Sequence, residues 1–261
     1  MEFADVVAEG MALDVEAYWG AGFLPGRFVS TAPSWDYAAL ARPLLERAGT
    51  ALDMGTGEGG VLAALAPLPV LTVAYEEWWP TVPAAKATLR PLGVRLVVAR
   101  GSRENAPVPG AIDPVERPTL PFADHVFDLV LNRHEAFDPR DLHRIVRPDG
   151  RFLTEQVGSD EADSVRSLLG LPALGAPWSA ELAAEQLADA GWEIEDLHEE
   201  WPPMRFSDVA ALIGYVRSLP WSYEDLVWSA ATNRLRELHA QSGLGPLAVT
   251  SHRFVVEARP A

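Results

Sequence analysis

Apolar and polar positions along this chain change rhythm several times. Across Trp35–Ala48, Leu40, Leu44 and Leu45 share one helical face, and Gly49 follows as a stop. From residue 51 onward, short apolar runs of strand length alternate with amphipathic stretches of helix length. Strands are predicted at 51–54, 70–75, 94–99, 127–131 and 151–156, with helices at 60–65, 84–92 and 139–146. Strands and helices alternating at this spacing indicate βαβ units and a parallel sheet. The last third has a different pattern. A helix is predicted over 179–190, capped by Ser179 and closed by Gly191. A strand at 192–197, helical stretches at 207–218 and 223–240, and a final apolar strand at 253–258 follow. A strand, an insertion and a returning strand predict an antiparallel edge on an otherwise parallel sheet. The organisation expected is an N-terminal helical cap over 1–48 and a sheet domain over 49–261, with a helical insertion at about 200–248.

The chemistry starts at Leu52-Asp53-Met54-Gly55-Thr56-Gly57-Glu58-Gly59-Gly60, a glycine-rich turn between a strand and a helix. Gly55, Gly57 and Gly60 match the G-x-G-x-x-G spacing of dinucleotide loops. Glycines here let backbone approach a ligand, and the helix N-terminus that follows favours negative charge. Asp53 ends the strand, however, and Glu58 lies in the loop. Two carboxylates a few ångströms from a pyrophosphate would cost roughly 1 kcal/mol or more each. The loop therefore suits a nucleoside that carries positive charge. Tyr75-Glu76-Glu77, about twenty residues on, ends the second strand with an acid placed to accept from ribose hydroxyls.

Two further segments are LPFADHVFDLVLNRHE (120–135) and LHRIVRPDGRFL (142–153). Together with LDMGTGEGG and YEE, they resemble the class I S-adenosylmethionine-dependent methyltransferases, in particular the small bacterial proteins of that group. The resemblance covers about residues 48–157 and, more weakly, the terminal strands. It implies an α/β, Rossmann-like three-layer sandwich: a mostly parallel seven-stranded sheet with an antiparallel terminal strand, plus the N-terminal helices and the helical insertion. It implies S-adenosylmethionine as cofactor. Asp53, Gly55, Thr56 and Gly57 would approach its methionine portion and Glu76 would hold the ribose, while Glu77 is a surface acid or a neighbour near the methionine end. Asn132 and Arg133 would lie beside the methyl group. In the family, the third strand ends in an acid that meets the adenine. Here the run is Val98-Ala99-Arg100-Gly101-Ser102, and Ser102 is the side chain offered for that contact. The loop that follows, 102–119, is long and proline-rich.

Methyl transfer needs a base only when the acceptor must lose a proton. His134, just past the fourth predicted strand, is the candidate, with Glu135 to orient it. His143 reads as a solvent-facing residue of a mixed-charge helix, and His125 and His198 have no partner evident in the sequence. No metal-ligand spacing stands out. Trp19, Trp35, Trp78, Trp79, Trp201, Trp221 and Trp228 suggest an apolar pocket between the N-terminal helices and the insertion. The acceptor expected is a small, partly apolar or aromatic molecule. The alternatives are an NAD-dependent oxidoreductase, supported by the glycine spacing alone, and a protein that binds S-adenosylmethionine without transferring methyl.

Charge narrows the partners further. The formal net charge is −16 with no local basic patch, which disfavours nucleic acid and anionic membranes. There is no cysteine, no basic leader segment and no apolar run of about 18 residues or more, so the cytoplasm is the expected compartment. A monomer or homodimer is expected.

Overall fold

A computed structural model describes residues 2–15, 24–99, 119–175 and 177–261. Contacts divide the chain into two interleaved units: residues 1–33, 159–175 and 201–252, and residues 34–158, 176–200 and 253–261.

The larger unit contains a seven-stranded sheet. Its strands are β2 (Thr50–Met54), β3 (Leu71–Glu76), β4 (Arg95–Val98), β5 (Phe127–Arg133), β6 (Val146–Val157), β7 (Trp192–Glu200) and β10 (Arg253–Pro260). They lie in the order β4-β3-β2-β5-β6-β10-β7. β10 is antiparallel to both its neighbours, whereas the other pairs are parallel. The antiparallel terminal strand expected on an otherwise parallel sheet is β10, one place inside the edge. Helices α2 (Tyr37–Arg47), α3 (Gly60–Ala64), α4 (Val82–Leu89), α5 (Pro139–Ile145) and α7 (Ala180–Asp189) complete this unit. The strands bury side chains on both faces. Leu52, Met54, Val130 and Phe152 pack in one cluster with Leu142 of α5 and Leu187 of α7, while Ala51, Leu129, Leu131 and Leu153 pack with Tyr37, Ala41 and Leu45 of α2. Alternation of this kind is what a sheet covered on both sides requires. Helix α2, assigned to the cap by the sequence pattern, belongs to this unit.

The smaller unit contains α1 (Phe3–Ala12), α6 (Ser159–Leu169), α8 (Val209–Ser218) and α9 (Trp228–Ser242). It also has a three-stranded antiparallel sheet of β1 (Phe28–Ser30), β8 (Pro203–Phe206) and β9 (Leu247–Thr250), in the order β1-β8-β9. Helix α8 is its centre, with every residue from Val209 to Val216 buried. Gly10 lets α1 close on it, because a Cβ there would lie 2.8 Å from Cβ of Ile213. No helix among the described residues is long and apolar enough to cross a membrane.

Candidate functional site

In a parallel sheet, ligands gather at the carboxyl ends of strands where the order reverses. Here that point lies between β2 and β5, since the chain runs outward from β2 through β3 to β4 and then returns to β5. Met54 is level with Asn132, and Arg133 is level with Glu155 on β6.

The glycine loop leaves β2 at this edge. Gly55 and Thr56 both donate backbone N–H to the carbonyl of Tyr75, at 3.0 and 3.1 Å, which folds the loop back against β3. Gly55 has φ +66, and a Cβ on it would lie 2.5 Å from Cβ of Glu135. Glycine is needed there both for the backbone and for the neighbour. Gly57 has φ +58 with open space where a Cβ would be. Its N–H donates to Oε2 of Glu76 at 2.6 Å, and Oε1 of Glu76 accepts from the N–H groups of Glu77 and Trp78 at 2.9 and 2.7 Å.

This edge is acidic and partly desolvated. Asp53 and Glu76 are buried, and Glu77 is exposed. Burial pushes the Asp53 carboxyl up to about 7, with the charge of Glu76 adding to it and the Thr56 hydroxyl pulling it back. Burial also raises Glu76, against its three backbone donors. Burial and the charges of Glu77 and Glu76 push Glu135 up to about 8. No arginine or lysine among the described residues forms an ion pair with Asp53, Glu76 or Glu135.

Alternation along β5 sends its last side chains to opposite faces of the sheet. Asn132 is fully buried, and its Oδ1 accepts from Gln156 Nε2 at 2.8 Å and Thr154 Oγ1 at 3.2 Å. Its Nδ2 is buried without a hydrogen-bond partner. Arg133 points the other way and donates through Nε to Oε1 of Glu155 at 2.7 Å. His134 takes the left-handed conformation, φ 64, and places Nε2 3.5 Å from the same oxygen. Trp35 Nε1 donates to Oε2 of Glu155 at 2.9 Å. These partners hold Glu155 down at about 2, although burial alone would raise it. His134 is lowered, chiefly by burial and despite Glu155, while its side chain keeps 31% of its surface exposed.

The predicted residues therefore fall into two groups. Asp53, Gly55, Thr56, Gly57, Glu76 and Glu135 gather around the glycine loop, with Glu77 at its rim. Arg133 and His134 gather on Glu155. Glu135 packs on Gly55, and the partner of His134 is Glu155 where Glu135 was expected. Glu155 was missed. Its signal was an acid near the end of an interior strand, Phe152-Leu153-Thr154-Glu155-Gln156. Ser102, Trp19 and residues 102–118 of the proline-rich loop lie outside the described residues. His143 is half-buried against Trp192, with ring centroids 5.7 Å apart, and is not solvent-facing as expected. His125 and His198 do have partners, the carbonyl of Val146 at 3.0 Å and Asp196 at 3.1 Å. In the smaller unit, α1 and α9 border an apolar groove of about 450 Å³ lined by Phe3, Val7, Met11, Trp228 and Leu235. None of the predicted site residues lines it.

The residues present fit a cationic nucleoside. Burial raises the Asp53, Glu76 and Glu135 carboxyls, Gly57 leaves space, and Nδ2 of Asn132 has a donor to give. A carboxylate offers roughly four acceptor sites, so Glu76 keeps one for a ribose hydroxyl beyond its three backbone donors.

No family model and no curated protein sequence matches the chain. Solved structures do match its fold. The YcgJ protein of Bacillus subtilis is 16% identical with a TM-score of 0.57, over 85% of this chain and 97% of that one. A Bacillus halodurans protein provisionally assigned as a methyltransferase is 17% identical with a TM-score of 0.55, over 86% and 97%. The cyclase SpnF is 17% identical with a TM-score of 0.52, over 98% and 93%. The strand order and the reversed terminal pair are those of the class I methyltransferase fold.

Proposed function

We propose that this chain binds S-adenosylmethionine at the carboxyl edge of its sheet and transfers the methyl group to a small, partly apolar or aromatic molecule. The observation that carries this reading is the acidic lining of the glycine loop, Asp53, Glu76 and Glu135, which pairs with no arginine or lysine among the described residues. A pyrophosphate would add repulsion at each of these groups, whereas a sulfonium and an ammonium reverse the sign. Asp53, Gly55 and Thr56 would hold the methionine portion, and Glu76 with Gly57 the ribose. When bound, the cofactor supplies a methyl group on a sulfur that is already a good leaving atom, so positioning provides much of the acceleration. His134 stands at the same edge as a neutral imidazole able to take a proton. Trp35, tied to Glu155, offers an apolar face beside it.

Titration calorimetry with S-adenosylhomocysteine and, separately, NADH tests the cofactor. Saturable binding of the first alone is expected, and Asp53→Asn should weaken it at least about tenfold through loss of a charge-assisted contact. Saturable NADH binding without S-adenosylhomocysteine binding would overturn the reading. Methyl incorporation across a metabolite panel then separates transfer from binding. SpnF is described as a cyclase and has this fold. Cofactor binding with no methyl transferred to any acceptor would favour the non-methylating alternative.

A further inference from the structure

We propose, resting on the reading above, that the methyl acceptor presents an acidic oxygen, as a phenol or a carboxylic acid, to Arg133 and His134, with Glu155 as the positioning residue that holds both. Several arginines elsewhere among the described residues are paired with carboxylates: Arg27 with Glu9 and Asp208, Arg144 with Asp124 and Asp141, Arg166 with Asp225. Arg133 commits only its Nε to Glu155. Its two terminal nitrogens have no partner among the described residues, and its side chain is 39% exposed. That outer edge is the fork that matches a carboxylate or an oxyanion.

His134 is organised in the same way. Nε2 faces the ionised Glu155, and Nδ1 has no partner among the described residues. A hydrogen on the nitrogen that faces the carboxylate leaves the other as a lone pair. Burial, with the charges of Arg133 and Arg253, lowers its pKa against the pull of Glu155, which favours the neutral ring with a lone pair on Nδ1. The residue is held at φ 64, a conformation that a non-glycine side chain takes only at a cost. Trp35 is fixed by its own bond to Glu155 and stacks on His198, with ring centroids 6.3 Å apart.

For a phenol, the hydroxyl proton passes to Nδ1 of His134 as the oxygen–methyl bond forms and the carbon–sulfur pair stays on sulfur. The proton then leaves to solvent. A carboxylic acid is already ionised at neutral pH and needs only Arg133. The two sources are therefore distinguishable, because His134→Gln should depress methylation of phenols far more than that of carboxylates.

Ligand-observed NMR with naphthoate, naphthol and naphthylmethylamine, each with and without S-adenosylhomocysteine, tests the acceptor class without turnover. Naphthoate and naphthol should bind and the amine should not. Arg133→Gln should weaken naphthoate at least about tenfold, with Arg133→Lys intermediate. Melting curves and tryptophan emission establish that each variant is folded. Equal binding of the amine, or naphthoate affinity unchanged in folded Arg133→Gln, overturns the proposal. Naphthoate failing to bind a protein that holds S-adenosylhomocysteine overturns this inference alone. Failure of S-adenosylhomocysteine itself to bind overturns the cofactor reading instead.

Discussion

Asp53 and Glu135 keep their protons in the free protein to unusually high pH, about 7 and about 8. In the unfolded chain both ionise near the ordinary carboxylate range. The folded state therefore binds more protons through the neutral range, and stability falls as pH rises through it. Glu155, held at about 2, has the opposite sign: its contribution is complete above the ordinary carboxylate range and is lost as pH falls toward its folded value. The ligand-free protein should thus melt at lower temperature as pH is raised from about 5 to about 9, and Asp53→Asn should flatten that slope. A cationic ligand should expel these protons. Calorimetry in buffers of differing ionisation enthalpy reads the release, and its absence would mean that the carboxyls do not meet the ligand. Much at this scale was legible. Asp53 and the glycines adjoin the turn in sequence, and Glu76, 19 residues beyond Gly57, ends the next strand. Glu155 was not, because it meets Arg133 and His134 only through strand pairing across 22 residues.

Among the elements, β5 is tied to β2 by one side chain. Asp128 accepts through Oδ2 from the N–H groups of Gly49 and Thr50 at 2.9 and 2.8 Å and from the Thr50 hydroxyl at 2.9 Å. Its other oxygen pairs with Arg147. Burial alone would raise its pKa, but Arg147 and Thr50 hold it below the usual range. Asp128→Ala leaves these donors without their acceptor and should cost about 1–3 kcal/mol in denaturant unfolding. Asp128 of FADHVFDLVL thus serves the sheet, and its place in a recognisable motif does not make it a ligand contact. The long strands and amphipathic helices were readable from periodicity. The sheet of β1, β8 and β9 was not: its strands are 3, 4 and 4 residues long, and Phe28 finds Phe206 only in the fold. Helix α6 also escaped notice, because Arg166, fully buried on two carbonyls and Asp225, interrupts the apolar stripe that marks a helix.

For the whole molecule, a formal net charge of −16 means self-repulsion on top of the local effects. Raising ionic strength from low to physiological values shortens the Debye length to about 8 Å and should raise the melting temperature. A melting temperature that falls with salt would mean that local ion pairs outweigh the net repulsion. The interleaving of the two units was the least legible property. Crossings at 33, 158, 175, 200 and 252 follow from three-dimensional contacts, and no change in composition marks them.

The position of β10 also bears on synthesis. It lies between β6 and β7, yet β6 ends at residue 157, β7 at 200 and β10 begins at 253. At roughly 5–20 residues per second, a ribosome needs about 3–10 s after finishing β7 to supply the strand that joins it to the rest. During that interval the nascent chain carries an open edge on β6, with Phe152 and Leu153 along it, and a detached β7. Unpaired edges of this kind invite pairing with other chains. The protein is therefore most vulnerable while it is being made, and a holding chaperone would serve it best in those seconds.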